Sequence, residues 1–407
     1  MRIYKVGGCV RDRLLQRDSE DRDWVVVGTN HEEMESLGYK KVGKDFPVYL
    51  HPQTHEEHAL ARTERKKGRG YYGFDIDASA EVTLEEDLSR RDLTINAIAE
   101  DAEGNLIDPY GGEKDLRAGI LRHVSAAFVE DPLRVLRVAR FAARFNFDIA
   151  PETNTLMQEI AASGELLELA PERIWSELER ALNEPYPARF VSALRECNAL
   201  AILFPEIDCL FGVPQPAKYH PEIDTGVHIC LALQQAAARQ ASSQVRFAVL
   251  VHDLGKGTTD ADLLPSHTGH EERGVSLVAD FCDRFRVPKS HRGIALVVTR
   301  FHLMVHRARD LSPHKLLNLL MKLDALRRPD RFGEILLACE IDATGRTGKT
   351  GEPYPSADYL RRARATVSAV DTRNATGGGL SGDALRTEID RVRVNALQNS
   401  HEDQTAR

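Results

Sequence analysis

Cysteine is scarce in this chain and carries no pattern. Six cysteines are spread over 407 residues, at Cys9, Cys197, Cys209, Cys230, Cys282 and Cys339, with no C-x-x-C pair. That scatter argues against a disulfide framework or a thiolate zinc site, and fits reduced core or surface thiols. Long hydrophobic runs are missing as well. No apolar stretch approaches a membrane span, and the start of the chain lacks a charged-then-apolar signal pattern. A cytoplasmic protein with no membrane partner is therefore expected. Net positive charge is also lacking: the formal charge of −8 argues against indiscriminate binding to long nucleic acid, while local basic stripes leave room for a shaped RNA. No internal repeats occur. Hydrophobic and charged contents are ordinary for a soluble globular protein, and the length calls for two to four domains.

What is present begins with two carboxylates. Asp21-Arg22-Asp23-Trp24-Val25-Val26-Val27-Gly28 reads as a strand, because Trp and Val are strong strand formers and Gly28 ends the run. Residues two apart on a strand share a face, so Asp21 and Asp23 point one way and Arg22 the other. Adjacent carboxylates at that spacing suit one or two Mg2+ ions, which prefer oxygen ligands and recruit substrate phosphates. Upstream, Gly7-Gly8 follows Ile3-Tyr4-Lys5-Val6 and offers a strand-to-helix turn where backbone amides approach a triphosphate. A lone D-x-D is more often two exposed acids at a strand start. The company it keeps here reverses that reading.

Two basic stripes follow. Arg62 to Gly70, continued by Tyr71-Tyr72-Gly73-Phe74, reads as a mobile loop able to touch a phosphate or base, or equally as a solvated loop. In Glu130 to Arg144, the arginines Arg134, Arg137, Arg140 and Arg144 fall three, three and four apart. They share one face of a helix that Pro132 suits at its first turn. That face carries few acids of its own, so anionic phosphates are expected to complete it.

The spacing predicts an α+β head and a helical remainder. Strands are expected at Trp24–Val27, Phe46–Leu50, His58–Arg62, Asn105–Asp108 and Ile120–Val124, and helices at Val10–Gln16 and Asp92–Glu100. Four regions are expected: residues 1–125, an α+β head; 126–215, a helical neck and body; 228–330, a histidine-rich helical unit; and 331–407, a helical tail with a disordered end from Asn399.

Four motifs give the chain a resemblance: Gly7-Gly8-x-Val10-Arg11-Asp12, Asp21-x-Asp23, Arg90-Arg91-Asp92-Leu93-Thr94-Ile95-Asn96-Ala97 and Glu130-Asp131-Pro132-Leu133-Arg134, with Asp108-Pro109-Tyr110-Gly111-Gly112 between the last two. In kind, order and spacing these resemble class II bacterial CCA-adding enzymes, tRNA nucleotidyltransferases of the polymerase-β-like superfamily. The resemblance covers about residues 1–342. It implies a polymerase-β-like head followed by an all-α neck, body and tail, use of CTP, ATP and Mg2+, and tRNA as partner. It implies Asp21 and Asp23 as catalytic metal ligands, and Gly8, Arg11, Arg91, Arg137 and Arg140 at the nucleotide. Asp131 and Arg134 would act as a protein template. Hydrogen bonding supports that last assignment: cytosine and adenine each present an amine donor beside a ring-nitrogen acceptor, which a carboxylate beside a guanidinium complements. Glu57, on the neighbouring strand, is a weaker candidate for a third carboxylate.

His252-Asp253-Leu254-Gly255-Lys256 follows the apolar Phe247–Val251, with His228 one helix upstream. This resembles the HD phosphohydrolase superfamily, whose pattern is a His, a His-Asp pair and a distant Asp, for which Asp342 is the candidate. His267, His270, His302 and His306 offer further nitrogens. Imidazoles with a carboxylate suit Ni, Co, Mn or Zn better than Mg. The resemblance implies phosphatase, 2′-nucleotidase and 2′,3′-cyclic phosphodiesterase activities in repair of tRNA ends. Two other readings stay open. A bacterial poly(A) polymerase usually carries a strongly basic C-terminal region, whereas residues 399–407 are mixed polar; the other is an HD phosphohydrolase with an RNA-binding head. Monomer and homodimer are equally compatible with the sequence.

Overall fold

Apolar residues facing both ways, Ile3, Tyr4 and Val6 in β1 (Arg2–Val6) and the unbroken Trp24–Val27 in β2 (Asp23–Val27), make these strands the centre of a mixed sheet. They pair antiparallel, Ile3 opposite Val26 and Lys5 opposite Trp24. The other strands are β3 (Lys40–Val42), β4 (Val48–Leu50), β5 (Glu57–Leu60), β6 (Thr63–Lys66), β7 (Phe74–Asp77), β8 (Ala99–Glu100) and β9 (Leu106–Ile107). The seven-stranded sheet runs β3-β4-β5-β2-β1-β8-β9, and β6-β7 form a separate hairpin. β2 and β5 are parallel, with Asp23 opposite Glu57. This computed structural model describes residues 1–18, 22–42, 48–66, 74–371, 373 and 381–405, without the side chains of 64–66, 74–76 and 401–405.

The sheet buries both faces. Tyr4, Val6, Val25, Val27, Leu88 and Ala99 pack on one, and Val26, Met34, Tyr39, Tyr49 and Leu60 on the other. Each large side chain so buried contributes roughly 1.5–3 kcal/mol. By strand alternation Asp23 shares the side of Val25 and Val27. Asp21 lies outside the described residues.

Three expectations change. Asp92–Glu100 is no helix: it is a 3-10 turn at Thr94–Asn96 followed by β8. Its backbone is claimed by tertiary partners, Thr94 N–H by Arg122 O at 2.8 Å and Ile98 O by Gly7 N–H at 3.2 Å. The stripe after Arg62 is a strand over Thr63–Lys66 paired with β7, not a loop; Lys67–Gly73 lies outside the described residues. The end of the chain is helical over Gly382–Thr405, where Asn399 onward was expected to be disordered; Leu397 is buried and docks it.

The chain divides into two units, Met1–Phe204 and Pro205–Arg407. Beyond its sheet the first unit is helical, apart from the short parallel pairing of Ile120–Leu121 with Asp148–Ile149. Its Leu133–Phe145 helix buries Val135, Leu136, Val138, Ala139 and Ala142 against Pro171–Asn183 and Pro187–Glu196, both opened by a proline. The second unit is helical. Its Ser243–Val251 helix is apolar almost all round and buried, as a central helix must be. His252 and Asp253 follow it directly, so burying that helix carries them into the interior. Among the described residues no helix is long and apolar enough to cross a membrane.

Candidate active sites

In the first unit one cavity of about 810 Å³ gathers the predicted head residues: Gly7, Gly8, Arg11, Asp23, Arg91, Asp131, Arg134, Arg137 and Arg140 all line it. Gly7 makes the turn from β1 into the Gly8–Leu14 helix with φ +71°. A side chain there would be strained, and its Cβ would stand 2.8 Å from an Arg91 nitrogen. Asp23 is exposed at the cavity. Its register partner Glu57 is exposed too, so two carboxylates share that side of adjacent strands. Arg22 reaches Glu56 at 3.2 Å.

The cavity holds nine arginines against five aspartates. Arg11 is buried, donates to Asp12 Oδ1 at 2.8 Å and to Asn96, and lies over the rings of Phe141 and Phe145. Burial pulls its guanidinium below the usual arginine value, against the pull of Asp12. Arg91 reaches Asp87 Oδ2 at 3.3 Å, and its buried Nε lacks a partner. An orphan donor beside a cavity is the kind of group an anion satisfies.

The arginine helix carries a correction. Its cations are compensated after all, by acids from distant elements that local spacing cannot reveal. Arg137 pairs with Asp92 at 2.8 Å, Arg140 with Glu177 at 2.6 Å and Arg144 with Asp12 at 2.9 Å. Burial alone would raise Asp92, but Arg137 and the Asn96 amide outweigh it and hold the carboxyl well below the usual range. Arg134 donates to the main-chain carbonyls of Ala127 at 2.8 Å and Arg90 at 2.6 Å. Asp131 is not on the helix with Arg134. Pro132 is the N-cap, and Asp131 precedes it in extended conformation. Its Oδ1 accepts Leu133 N–H at 3.0 Å and its Oδ2 accepts Arg173 at 3.2 Å.

In the second unit, His228, His252, Asp253 and Asp342 converge. His228 Nε2 lies 3.0 Å from Asp342 Oδ1; His252 Nε2 lies 3.2 Å from Asp253 Oδ2 and 3.6 Å from Asp342 Oδ1. All four are buried. Asp342 comes from the Pro329–Thr344 helix, beyond the expected 228–330 segment, and Arg346 and His306 also contact it, at 3.2 and 2.7 Å. Burial would lower His252, yet Asp253 and Asp342 push it up to about 10. Two carboxylates at one imidazole have that effect. Lys256 donates to Asp253 Oδ2 and Gln215, both at 2.6 Å.

Comparison with known proteins then places the chain. The poly A polymerase head domain family matches residues 3–122, the probable RNA and SrmB-binding site of polymerase A matches 146–210, and the HD domain matches 225–328. The multifunctional CCA protein of Nitrosococcus oceani is 57% identical over 400 residues, 98% of each chain. That of Thioalkalivibrio sulfidiphilus is 58% identical over 401 residues, again 98% of each. The chain belongs to the multifunctional CCA protein family. It is a nucleotidyltransferase with an HD hydrolase unit. Its fold resembles the Bacillus stearothermophilus CCA-adding enzyme solved in complex with CTP, at 25% identity and TM-score 0.64, covering 98% of this chain and 89% of that one. A CCA-adding enzyme solved with ATP gives TM-score 0.64 at 21% identity, covering 97% and 86%.

Membership of the multifunctional CCA protein family implies dependence on divalent metal, and both donor sets fit. The head offers carboxylate oxygens, as a hard ion requires. The HD unit offers imidazole nitrogens and carboxylates, with His252 Nε2 and Asp253 Oδ1 buried and without hydrogen-bond partners. Sequence reasoning missed Arg173 and Arg180, which line the cavity, and Glu177, which holds Arg140. They sit at i, i+4 and i+7 on the Pro171–Asn183 helix, a spacing that marks one helical face.

Proposed function

We propose that the head adds CMP and AMP, without a nucleic-acid template, to the 3′ ends of tRNA until CCA is complete. The HD unit would hydrolyse phosphate esters at damaged ends before addition. The carrying observation is an arginine-rich cavity in which Gly7-Gly8, Asp23, Arg91, Asp131 and Arg134 meet. Residues 1–125 act as catalytic head, 126–215 as nucleotide-selecting and tRNA-binding body, 228–330 as the HD domain together with Asp342, and 331–407 as tail.

Asp21 and Asp23 would hold Mg2+. Bound there, it would supply a Lewis acid for the primer's 3′-hydroxyl and a countercharge for pyrophosphate. The rest falls to the chain. The Gly8 backbone, Arg11, Arg91, Arg137 and Arg140 hold and screen the triphosphate, because positioning and charge stabilisation supply most of the rate in phosphoryl transfer. Asp131 offers an acceptor and Arg134 a donor, matching the edges of cytosine and adenine and leaving buried groups unpaired against uracil or guanine. His228, His252, Asp253 and Asp342 would hold Ni2+ or a similar transition ion, which supplies a hydroxide-generating Lewis acid. The enzyme is read as cytoplasmic, a monomer or homodimer.

The test is a tRNA lacking its last three nucleotides, incubated with Mg2+ and each NTP alone, then with CTP plus ATP, and resolved to single nucleotides. Two additions with CTP and a stop after one A with both are expected. Long A tails without CTP use would instead make the chain a poly(A) polymerase.

A further inference from the structure

One cation of the arginine-rich cavity stands apart from the others. Eight of the nine arginines that line it meet an acid or a main-chain carbonyl. Arg180 is exposed and has neither hydrogen bond nor ion pair among the described residues. Its position ought to have supplied one. Arg173, Glu177, Arg180 and the C-cap Glu184 fall four, three and four apart on the Pro171–Asn183 helix, which is a single helical face. Glu177 at i−3 and Glu184 at i+4 are the natural acids for Arg180. Both turn instead to Arg140, at 2.6 and 3.9 Å.

The same face sends Arg173 to Asp131 at 3.2 Å, so the two helices lie side by side with their numbering rising together. The Asp131 end is the one read above as meeting the base. Arg180 lies seven residues beyond Arg173, about 10 Å along the axis, and beside Arg140. One turn past Arg140, Arg144 holds Asp12 on the helix that begins at Gly8, where the phosphates are read to bind. Arg180 therefore stands at the phosphate end of the cavity, on the wall opposite the Gly7-Gly8 turn's own helix.

We propose that Arg180 binds the β and γ phosphates of the incoming CTP or ATP and screens the pyrophosphate as it leaves. The inference deepens the reading of this cavity given above and rests on it. In the transfer, the primer's 3′-oxygen bonds to the α-phosphorus and its proton passes to water. The bond from that phosphorus to the bridging oxygen breaks, and its electron pair departs with pyrophosphate. Negative charge thus grows on the β phosphate, and a guanidinium fork can take two phosphate oxygens at once. Arg137 and Arg140 must share their donors with Asp92 and Glu177. Arg180 gives up no internal partner on binding, so its full donor set is open to the ligand.

The test makes Arg180→Ala and Arg180→Lys in the full chain. Affinities for CTP and CMP are measured by equilibrium dialysis with Mg2+. Inhibition by added pyrophosphate is measured while C is added to a tRNA lacking its last three nucleotides. Arg180→Ala should weaken CTP and pyrophosphate by roughly 10–100-fold, the scale of a hydrogen bond to a charged group. CMP, which lacks both outer phosphates, should bind as before and so certifies that the variant is folded. Arg180→Lys should recover part of the loss, as a point charge without the fork. An unchanged ratio of CTP to CMP affinity in Arg180→Ala overturns the inference. A defect confined to the KM for tRNA overturns it too, by assigning the cation to the RNA. A wild-type chain that binds CTP no more tightly than CMP overturns the reading of the cavity as well.

Discussion

The two candidate centres meet opposite problems of charge. In the first unit, arginines crowd one cavity, and acids or carbonyls from elsewhere in the chain restrain them: Asp92 for Arg137, Glu177 for Arg140, Asp12 for Arg144. In the second, acceptors crowd a buried cluster and donors are few, so that His252 is driven towards the protonated state. A centre for a polyanion is thus assembled from cations held in place by internal acids. A centre for a metal is assembled from converging buried imidazoles and carboxylates. The first has most of its cations bonded to acids or carbonyls; the second leaves Asp253 Oδ1 and His252 Nε2 without a hydrogen-bond partner.

The sharpest way to break that contrast is to disable one centre at a time. Asp23→Ala should lower CTP and ATP addition by about 10³-fold, the scale for removing a group that stabilises transition-state charge, while metal-dependent phosphate-ester hydrolysis persists. Asp253→Asn should do the converse, with transition-metal affinity falling by at least the roughly 10–100-fold that outer partners alone produce. Loss of both activities in either variant would join the two centres into one.

Metal exchange makes a gentler cut. After chelation, Mg2+ should restore nucleotide addition but little hydrolysis, and Ni2+ should favour hydrolysis, because oxygen donors suit the harder ion and imidazoles the softer. Equal rescue of both activities by Mg2+ would contradict the assignment of donor sets.

Stability should separate the units next. Arg140 and Glu177 form a buried pair, so Arg140→Ala should destabilise the first unit by about 3–5 kcal/mol in addition to weakening nucleotide binding. Both tryptophans, Trp24 and Trp175, lie in that unit, so their fluorescence during urea unfolding reports it alone. An unchanged midpoint would make Arg140 a ligand-binding residue only.

The smallest effect concerns acid. Despite burial, Arg90 and Arg91 hold Asp87 low, and Arg137 and Asn96 hold Asp92 low. A carboxylate lowered in the folded state contributes stability above its ordinary value of 3.8 and loses it as pH falls through the folded value. The first unit should therefore weaken below about pH 4, and Asp92→Asn should make that acid limb shallower in the same fluorescence measurement.

How much of this was legible depended on the reach of the signal. The Val-rich β2, the Gly7 turn and the arginine spacing over 134–144 are local, and the chain wears them openly. The assignment of Asp92–Glu100 as a helix failed because its hydrogen bonds go to Gly7 and Arg122, partners that no window around the segment contains. The supposed lack of acids opposite Arg137, Arg140 and Arg144 failed for the same reason. Asp342 was found only as a candidate, since nothing beside it in sequence marks it; the folded chain brings it to His228 across 114 residues. Arg173, Glu177 and Arg180 did carry a local sign, a shared helical face, but it resembled any solvated charge pattern until Asp131 and Arg140 stood opposite.

The seat of Arg134 has an evolutionary consequence. Both of the acceptors described for its guanidinium are main-chain oxygens, those of Ala127 and Arg90. A point mutation in a gene can delete a carboxylate, but every amino acid it can encode brings the same carbonyl. Sequence drift at positions 90 and 127 can therefore change the side chains around that arginine without removing either acceptor, whereas one substitution at Asp92 or Asp12 removes the carboxylate paired with Arg137 or Arg144.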